Sequence, residues 1–302
     1  MIPAADANRT LITYHSTVAA GLFRVERDGL PVHAYVVNMA RSLDRRAHIT
    51  RELEKTSVDY EIVTAADGRE LDMADAALID PSFVATGIFP EGSAGCALSH
   101  LSIYRKIVED GLDVALILED DVLLPADLDK LATEVGQHLT GAEAALLSVD
   151  CPDPVQLSRA GAVPLSGGRQ LALPIDITQP RSTGAYLITR EACERMIKLV
   201  LPIRANADAW PFFYREGALD RLRCVAPLPV PKNADLTSTI GSYSLGNGLR
   251  SRLAGPLLRA RIPVLHQVLS RRRQRIYRQW ARTEFVSAPF IEMPSRLEPA
   301  DL

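Results

Sequence analysis

Three carboxylates in a row, Glu119-Asp120-Asp121, directly follow the apolar run Val114–Leu118 (VALIL). Charges bound that run, so it reads as a buried strand. In open α/β sheets, ligands bind beyond the carboxyl ends of the strands. Adjacent carboxylates at such an edge repel one another, and a hard divalent cation with oxygen ligands relieves the repulsion. Two carboxylates do not saturate Mg²⁺ or Mn²⁺, so diphosphate oxygens and water would complete the shell. The chemistry expected is a metal–diphosphate site, and the plain alternative is a solvated acidic turn.

The elements around the triplet decide what joins it. Gly95–Asp110 carries a helical stripe through Cys96, Ser99/His100, Ile103 and Ile107, and Gly111 stops it. A helix that precedes a parallel strand runs antiparallel to it. The first turn of this helix should therefore bring Gly95, Cys96, Ser99 and His100 beside Glu119–Asp121. Helix N-termini favour phosphate. His100 is placed to bind a phosphate or sugar hydroxyl or to orient a ligand; otherwise it is a core-edge histidine.

Val32–Asn38, Ile62–Thr64, Ala144–Val149, Leu171–Ile177 and Thr183–Thr189 read as further strands. Asp44–Lys55, Ala126–Leu139 and Arg190–Val200 read as helices, and residues 72–92 as loosely helical. Alternation of short apolar strands with helices predicts an α/β fold with a mostly parallel sheet. Pro and Gly cluster over 226–256, which reads as a linker out of the main domain.

Composition sets the outer bounds. The 302 residues include 34 Lys or Arg and 37 Asp or Glu, a net charge of −3. With 47% apolar and 24% charged residues, the chain is ordinary globular material. It is long enough for a large core without disulfides or structural metal, in one large domain or two smaller ones. Nucleic-acid binding, which usually shows as a strongly basic domain, is not expected. Cys96, Cys151, Cys193 and Cys224 have no CxxC spacing, so neither a zinc motif nor a disulfide framework is read. No basic region followed by an apolar core opens the chain, and no run reaches the 18 or so apolar residues of a spanning helix. The expectation is a cytoplasmic protein.

Charge is uneven. Residues 249–283 hold ten Arg and no acid, which leaves 24 − 37 = −13 for the rest. Over 257–282, Arg alternates with Leu, Ile, Tyr and Trp in the manner of an interfacial helix. Docking on the anionic inner face of a membrane is one expectation; a solvated helix packed on the acidic remainder is the other.

Taken in order, several motifs resemble glycosyltransferase family 25, which includes bacterial lipooligosaccharide galactosyltransferases and collagen galactosyltransferases. They are Val36-Val37-Asn38-Met39-Ala40-Arg41-Ser42-Leu43-Asp44-Arg45-Arg46, Ala65-Ala66-Asp67-Gly68, Gly95-Cys96-Ala97-Leu98-Ser99-His100, Leu118-Glu119-Asp120-Asp121-Val122, Gly184-Ala185-Tyr186-Leu187-Ile188, Asp208 and Ser238-Thr239-Ile240. The resemblance covers roughly residues 32–241. It implies a GT-A-like domain there, with an extension over 1–31 and a basic, partly helical tail over 242–302. It further implies a UDP-sugar donor, most often UDP-galactose, and inverting transfer to a hydroxyl of a glycan acceptor, lipid-linked in one reading.

On that basis Asn38 and Arg41 should contact the nucleotide, and Asp67 the uracil or ribose. Arg45 or Arg46 would reach the diphosphate. Asp121 is the leading metal ligand for Mn²⁺ or Mg²⁺, with Asp120 or Glu119 assisting through metal or ribose; the ion neutralises charge on departing UDP. Ser99 lies with the donor-binding residues. Asp208 is the candidate base for the acceptor hydroxyl, with Asp150 and Asp153 as alternatives. Trp210 and Phe213 are placed either to stack on a sugar or to fill the core. Ser238-Thr239 is a late-chain contact to phosphate or metal-bound water. Two rival readings remain: a metal-dependent nucleotidyltransferase or pyrophosphohydrolase, and a catalytically silent GT-A-like adaptor.

Overall fold

The apolar runs form strands because both of their faces are covered. The computed structural model describes residues 32–86, 90–236 and 263–288. Its strands are β1 (His33–Asn38), β2 (Tyr60–Thr64), β3 (Val114–Glu119), β4 (Glu143–Leu146), β5 (Val155–Ser158), β6 (Val163–Leu165), β7 (Arg169–Ala172), β8 (Ala185–Thr189), β9 (Arg221–Ala226) and β10 (Thr283–Val286). Its helices are α1 (Leu43–Leu53), α2 (Pro81–Thr86), α3 (Pro90–Glu109), α4 (Leu128–Gly136), α5 (Arg190–Leu199), α6 (Trp210–Arg215) and α7 (Pro263–Trp280).

Eight strands form one sheet in the order β2-β1-β3-β8-β4-β9-β7-β6. Alternation along each strand splits the core in two. Tyr35, Ala115, Ile117, Tyr186 and Ile188 face α3, α5 and α6. Ala34, Val36, Leu116, Leu118 and Leu187 face α1 and α4 on the opposite side. The α/β class is as expected, and six of the eight strands point the same way, with β7 and β8 reversed. β1 runs parallel to β2 and β3, and β4 to β9. β8 is antiparallel to both β3 and β4, and β7 to both β9 and β6. An apolar run covered on both faces shows burial, not direction, so β8 read the same either way.

α3 starts at Pro90, five residues before the predicted start, with a proline in its first turn. Gly95–His100 therefore lie in its second and third turns, so the expected phosphate seat in a first turn at Gly95 is corrected. Two glycines account for the close packing there. A Cβ on Gly68 would land in the Glu91 carbonyl, and one on Gly95 would sit 2.7 Å from Gly68 N and 2.8 Å from Ala66 O. The Ala66–Gly68 loop and α3 thus meet backbone to backbone. Ser99 clasps them, donating to Gly95 O at 2.6 Å and accepting from Ala66 N at 2.9 Å.

The basic tail returns to the body over its described part. β10 pairs in parallel with β5, Cys151 N donates to Trp280 O at 3.0 Å, and buried Arg273 donates to Leu236 O at 2.6 Å. Ile276, Tyr277 and Trp280 are half-buried, while Arg271, Arg272, Arg275 and Arg278 are exposed. The helix thus turns part of its apolar surface inward, while Val268 stays 57% exposed on the same helix as the outward arginines. No helix among the described residues is long and apolar enough to cross a membrane. The extension over 1–31, residues 242–262 and the Ser238-Thr239 contact lie outside the described residues.

Gly95→Ala tests the backbone contact. Helix propensity alone would add about 1 kcal/mol of stability, whereas overpacking costs about 1–3 kcal/mol. Two backbone atoms under 3 Å put this site at the costly end, so a net loss is expected in urea and thermal melts. An unchanged or raised melting temperature would refute it.

Candidate functional site

β1, β2 and β3 run parallel, so their carboxyl ends share one edge. There a cavity of about 500 Å³ is lined by the β1–α1 turn (Met39, Arg41), Arg45, Ala65–Arg69, the first turns of α3 and Glu119–Asp121. The motifs listed from the sequence up to residue 121 thus meet in one cleft.

The three carboxylates have three different partners. Asp120 is buried; Asn38 Nδ2 donates to one of its oxygens at 2.7 Å, and Arg45 Nε to the other at 2.7 Å. Both oxygens are therefore held by protein. Asn38 accordingly orients Asp120 rather than standing free for a nucleotide. Asp121 pairs through Oδ2 with Arg45 at 2.8 Å, while its Oδ1 is buried with no partner. Glu119 accepts from Thr183 Oγ1 at 2.6 Å. Burial and the neighbouring Asp121 raise the Glu119 carboxyl above its ordinary range. Burial also raises Asp120, in part offset by Arg45. For Asp121 burial acts the same way, but Arg45 and Lys232 overcome it and hold the group low.

Lys232 was not singled out from the sequence. It pairs with Asp150 at 3.0 Å and reaches the site because Val122 and Lys232 form an antiparallel bridge. Burial opposes its charge, but Asp150, Glu119 and Asp121 outweigh that and raise it. Only the three-dimensional pairing, 110 residues apart in sequence, reveals it.

At the rim, Asp67 is paired by Arg41 and by Arg69 at 2.6 Å, and the Arg69 contact foremost holds its carboxyl well below the usual range. Arg46 is exposed on α1 and does not line the cavity, whereas Arg45 does. His100 is 1% exposed; its Nδ1 lies 2.8 Å from the Tyr186 hydroxyl, which lies 3.0 Å from that of Tyr104. Burial lowers His100 to about 4, so it is neutral at physiological pH and offers no charge to a phosphate. Ser99 lines the cavity, though its proton is spent on Gly95 O.

Asp208 is half-buried, and burial raises its carboxyl against the pull of Lys232. Its charge is felt at Cys96 and Lys232, and it is not among the residues that line the cavity. Of the alternatives, Asp150 is engaged by Lys232 and Asp153 sits on an exposed bend. Trp210 and Phe213 are core. Both are buried, and Trp210 packs edge-on against Tyr186 at 5.2 Å, which corrects the sugar-stacking option.

Parts of the chain are similar to known glycosyltransferases. The family described as "Glycosyltransferase family 25 (LPS biosynthesis protein)" matches residues 32–152. Procollagen galactosyltransferase 1 of Danio rerio is 30% identical over 95 residues, 29% of this chain; the match spans only 16% of that protein. The lacto-N-neotetraose biosynthesis glycosyltransferase LgtE of Neisseria meningitidis serogroup B is 24% identical over 223 residues, 69% of this chain and 79% of LgtE. A solved glycosyltransferase, involved in glycosylation of the major capsid of PBCV-1, aligns at a TM-score of 0.32 with 11% identity. That alignment covers 65% of this chain and 81% of the other.

Arg45 is the counter-ion of two buried carboxylates, so Arg45→Met should cost about 3–5 kcal/mol. Adding Asp120→Asn removes one stranded charge and should recover part of the loss. Additive losses in the double variant, measured by urea melts, would show that the pair does not interact as described.

Proposed function

We propose that this chain, whose residues 32–152 match glycosyltransferase family 25, transfers a sugar, most simply galactose, from a UDP-sugar to a hydroxyl of a glycan acceptor. The observation that carries the reading is the cavity itself. One wall holds Glu119–Asp121, and Arg41, Arg45 and Arg69 also line it. Arginine forks match phosphate oxygens, and carboxylates beyond a strand end suit a cation that bridges to a diphosphate. The relatives, a procollagen galactosyltransferase and a lacto-N-neotetraose biosynthesis glycosyltransferase, point the same way.

The residues present fit a divalent ion. Asp121 Oδ1 is a buried acceptor without a partner, and Glu119 stands beside it at the cavity wall. Asp121 would hold Mn²⁺ or Mg²⁺ with donor diphosphate oxygens, Glu119 assisting, while Asp120 is already committed to Arg45 and Asn38. When bound, the ion supplies Lewis-acid neutralisation of the departing diphosphate. The protein's own part is to hold the donor and take one proton. The acceptor oxygen attacks the anomeric carbon, the bond from that carbon to the diphosphate oxygen breaks, and the acceptor proton passes to the Asp208 carboxylate. Displacement from the opposite face inverts the centre. Burial, which raises Asp208, gives it a proton affinity closer to that of a working base.

The acceptor side is proposed as a lipid-linked glycan at the inner face of a membrane. Four outward arginines on α7 support it: Arg271, Arg272, Arg275 and Arg278. Attraction is chiefly electrostatic in this reading, with Val268 the exposed apolar side chain on the same helix.

Thermal stability against a panel of nucleotide sugars, each with Mn²⁺ and with EDTA, tests the donor. One UDP-sugar at 100 times its dissociation constant should add about 2.7 kcal/mol, and only with Mn²⁺. Asp121→Ala should abolish that metal-dependent gain. Asp208→Asn should keep it yet lose about 10²–10⁴ in turnover. A shift with nucleoside triphosphates alone would replace sugar transfer by nucleotidyl transfer.

Replacing the four outward arginines with glutamine should weaken binding to anionic vesicles by about 1 kcal/mol each, roughly a thousandfold together. Equal sedimentation of wild type and variant with phosphatidylserine vesicles would remove the membrane reading.

A further inference from the structure

Cys96 lies one helical turn before His100 on α3, and both face Glu119 across the floor of the cavity. The ligand-type atoms of these three side chains lie within 4.8 Å of one another, and no other such group of three or more His, Cys, Asp or Glu occurs among the described residues. His100 gives an independent sign. Its Nδ1 is engaged by Tyr186, and its Nε2 is fully buried with no hydrogen-bond partner. A buried ring nitrogen without a partner is expensive, and a neutral imidazole in that state is a metal ligand by nature.

We propose that Cys96, His100 and Glu119 form a binding site for a zinc-type divalent ion, open at its fourth position toward the cavity. The donor set argues for such an ion. Thiolate and imidazole select zinc-type ions over Mg²⁺ and Mn²⁺, which prefer all-oxygen shells. Around a tetrahedral zinc, with ligand bonds of about 2.0–2.3 Å, ligand atoms stand roughly 3.3–3.8 Å apart. The three atoms need close by about 1 Å, within reach of side-chain rotation. Three protein ligands with one open position is the arrangement of reactive rather than purely structural zinc. The open side faces the cavity that all three residues line.

A supporting shell is already built. Metal-bound histidines donate the other ring N–H to a fixed acceptor, which sets the tautomer. Here Nδ1 lies 2.8 Å from the Tyr186 hydroxyl, which would receive its proton once Nε2 binds metal and is itself tied to Tyr104. Glu119 is held by Thr183. Its Cys96 and His100 ligands are separate from the Asp121 position, whose Oδ1 is another orphan; Glu119 is the residue the two positions share.

The test uses metal alone. The full chain, stripped with EDTA and dialysed, is titrated with Co²⁺ and followed by absorbance. One equivalent should produce a near-ultraviolet thiolate-to-cobalt band, and Zn²⁺ should bleach it by displacement. Cys96→Ser should abolish the band with the fold intact by circular dichroism. Asp121→Asn should leave it in place. Tyr186→Phe should weaken cobalt affinity about 10–100-fold, the usual effect of losing an outer partner. Absence of a thiolate band in the folded wild type overturns the proposal, as does a band that survives Cys96→Ser. Should Cys96→Ser fail to fold, the wild-type spectrum and the Tyr186→Phe affinity decide.

Discussion

Arg45 sits between two carboxylates that would otherwise repel each other in a largely buried pocket, and much of this edge of the sheet follows from that contact. Its guanidinium takes Asp120 through Nε at 2.7 Å and Asp121 at 2.8 Å. Asp120 is held in turn by Asn38 at the end of β1. One ion network therefore fastens α1, β1 and β3 at the point where the cavity opens. Lys232 brings the second cation. Counting Glu119, Asp120, Asp121 and Asp150 against Arg45 and Lys232 leaves 4 − 2 = 2 negative charges if all are ionised. That crowding helps raise the Glu119 and Asp120 carboxyls. A divalent cation would relieve it, and it would turn the edge attractive to a diphosphate. The same network explains why three adjacent acids need not share one role: a carboxylate already saturated by arginine and asparagine positions the others and has no oxygen left to offer.

The depth of the cavity has a different cause, the contact between the Ala66–Gly68 loop and α3. Gly68 and Gly95 let two backbones approach where any side chain would intrude. That approach carries α3 close enough for Cys96, Ser99 and His100 to reach the carboxylate edge. Both motifs were visible in sequence as short strings, yet their glycines matter as a pair. Neither string alone says that the other is its partner.

This marks the limit of what the sequence carried. VALIL followed by three acids was legible because an apolar run ending in charge fits few environments. Tyr35 and Ile117 on one face, Val36 and Leu116 on the other, belong to runs whose continuous apolarity reported burial on both sides. Direction was not legible, so β8 entered the sheet reversed. The start of α3 was hidden because its first turns contain Gly92, Ser93 and Gly95, poor helix formers that tertiary packing overrides. β5 and β10 are four residues each and pair outside the main sheet, so neither stood out. Lys232, Thr183 and Tyr186 enter the site through pairings 64 to 110 residues long, which no local spacing encodes.

The turn before β8 shows how such a distant residue is held. Ser182 has φ of 118°, a conformation costly for any residue but glycine. Its hydroxyl accepts from Gly184 N at 3.0 Å, and its carbonyl accepts from buried Trp210 Nε1 at 3.3 Å. A Cβ on Gly184 would stand 3.1 Å from Ser182 Oγ and 3.3 Å from Ser148 Oγ, so both hydroxyls would have to give way. Its carbonyl accepts from Glu119 N at 2.8 Å, and Thr183 Oγ1 donates to Glu119 at 2.6 Å. A relaxed turn would be cheaper for the chain by about 1–3 kcal/mol. What the strain secures is the position of one hydroxyl against one carboxylate. Trp210, expected either to touch a sugar or to fill the core, does its part from within the core, by anchoring the strained residue beside the one that holds Glu119.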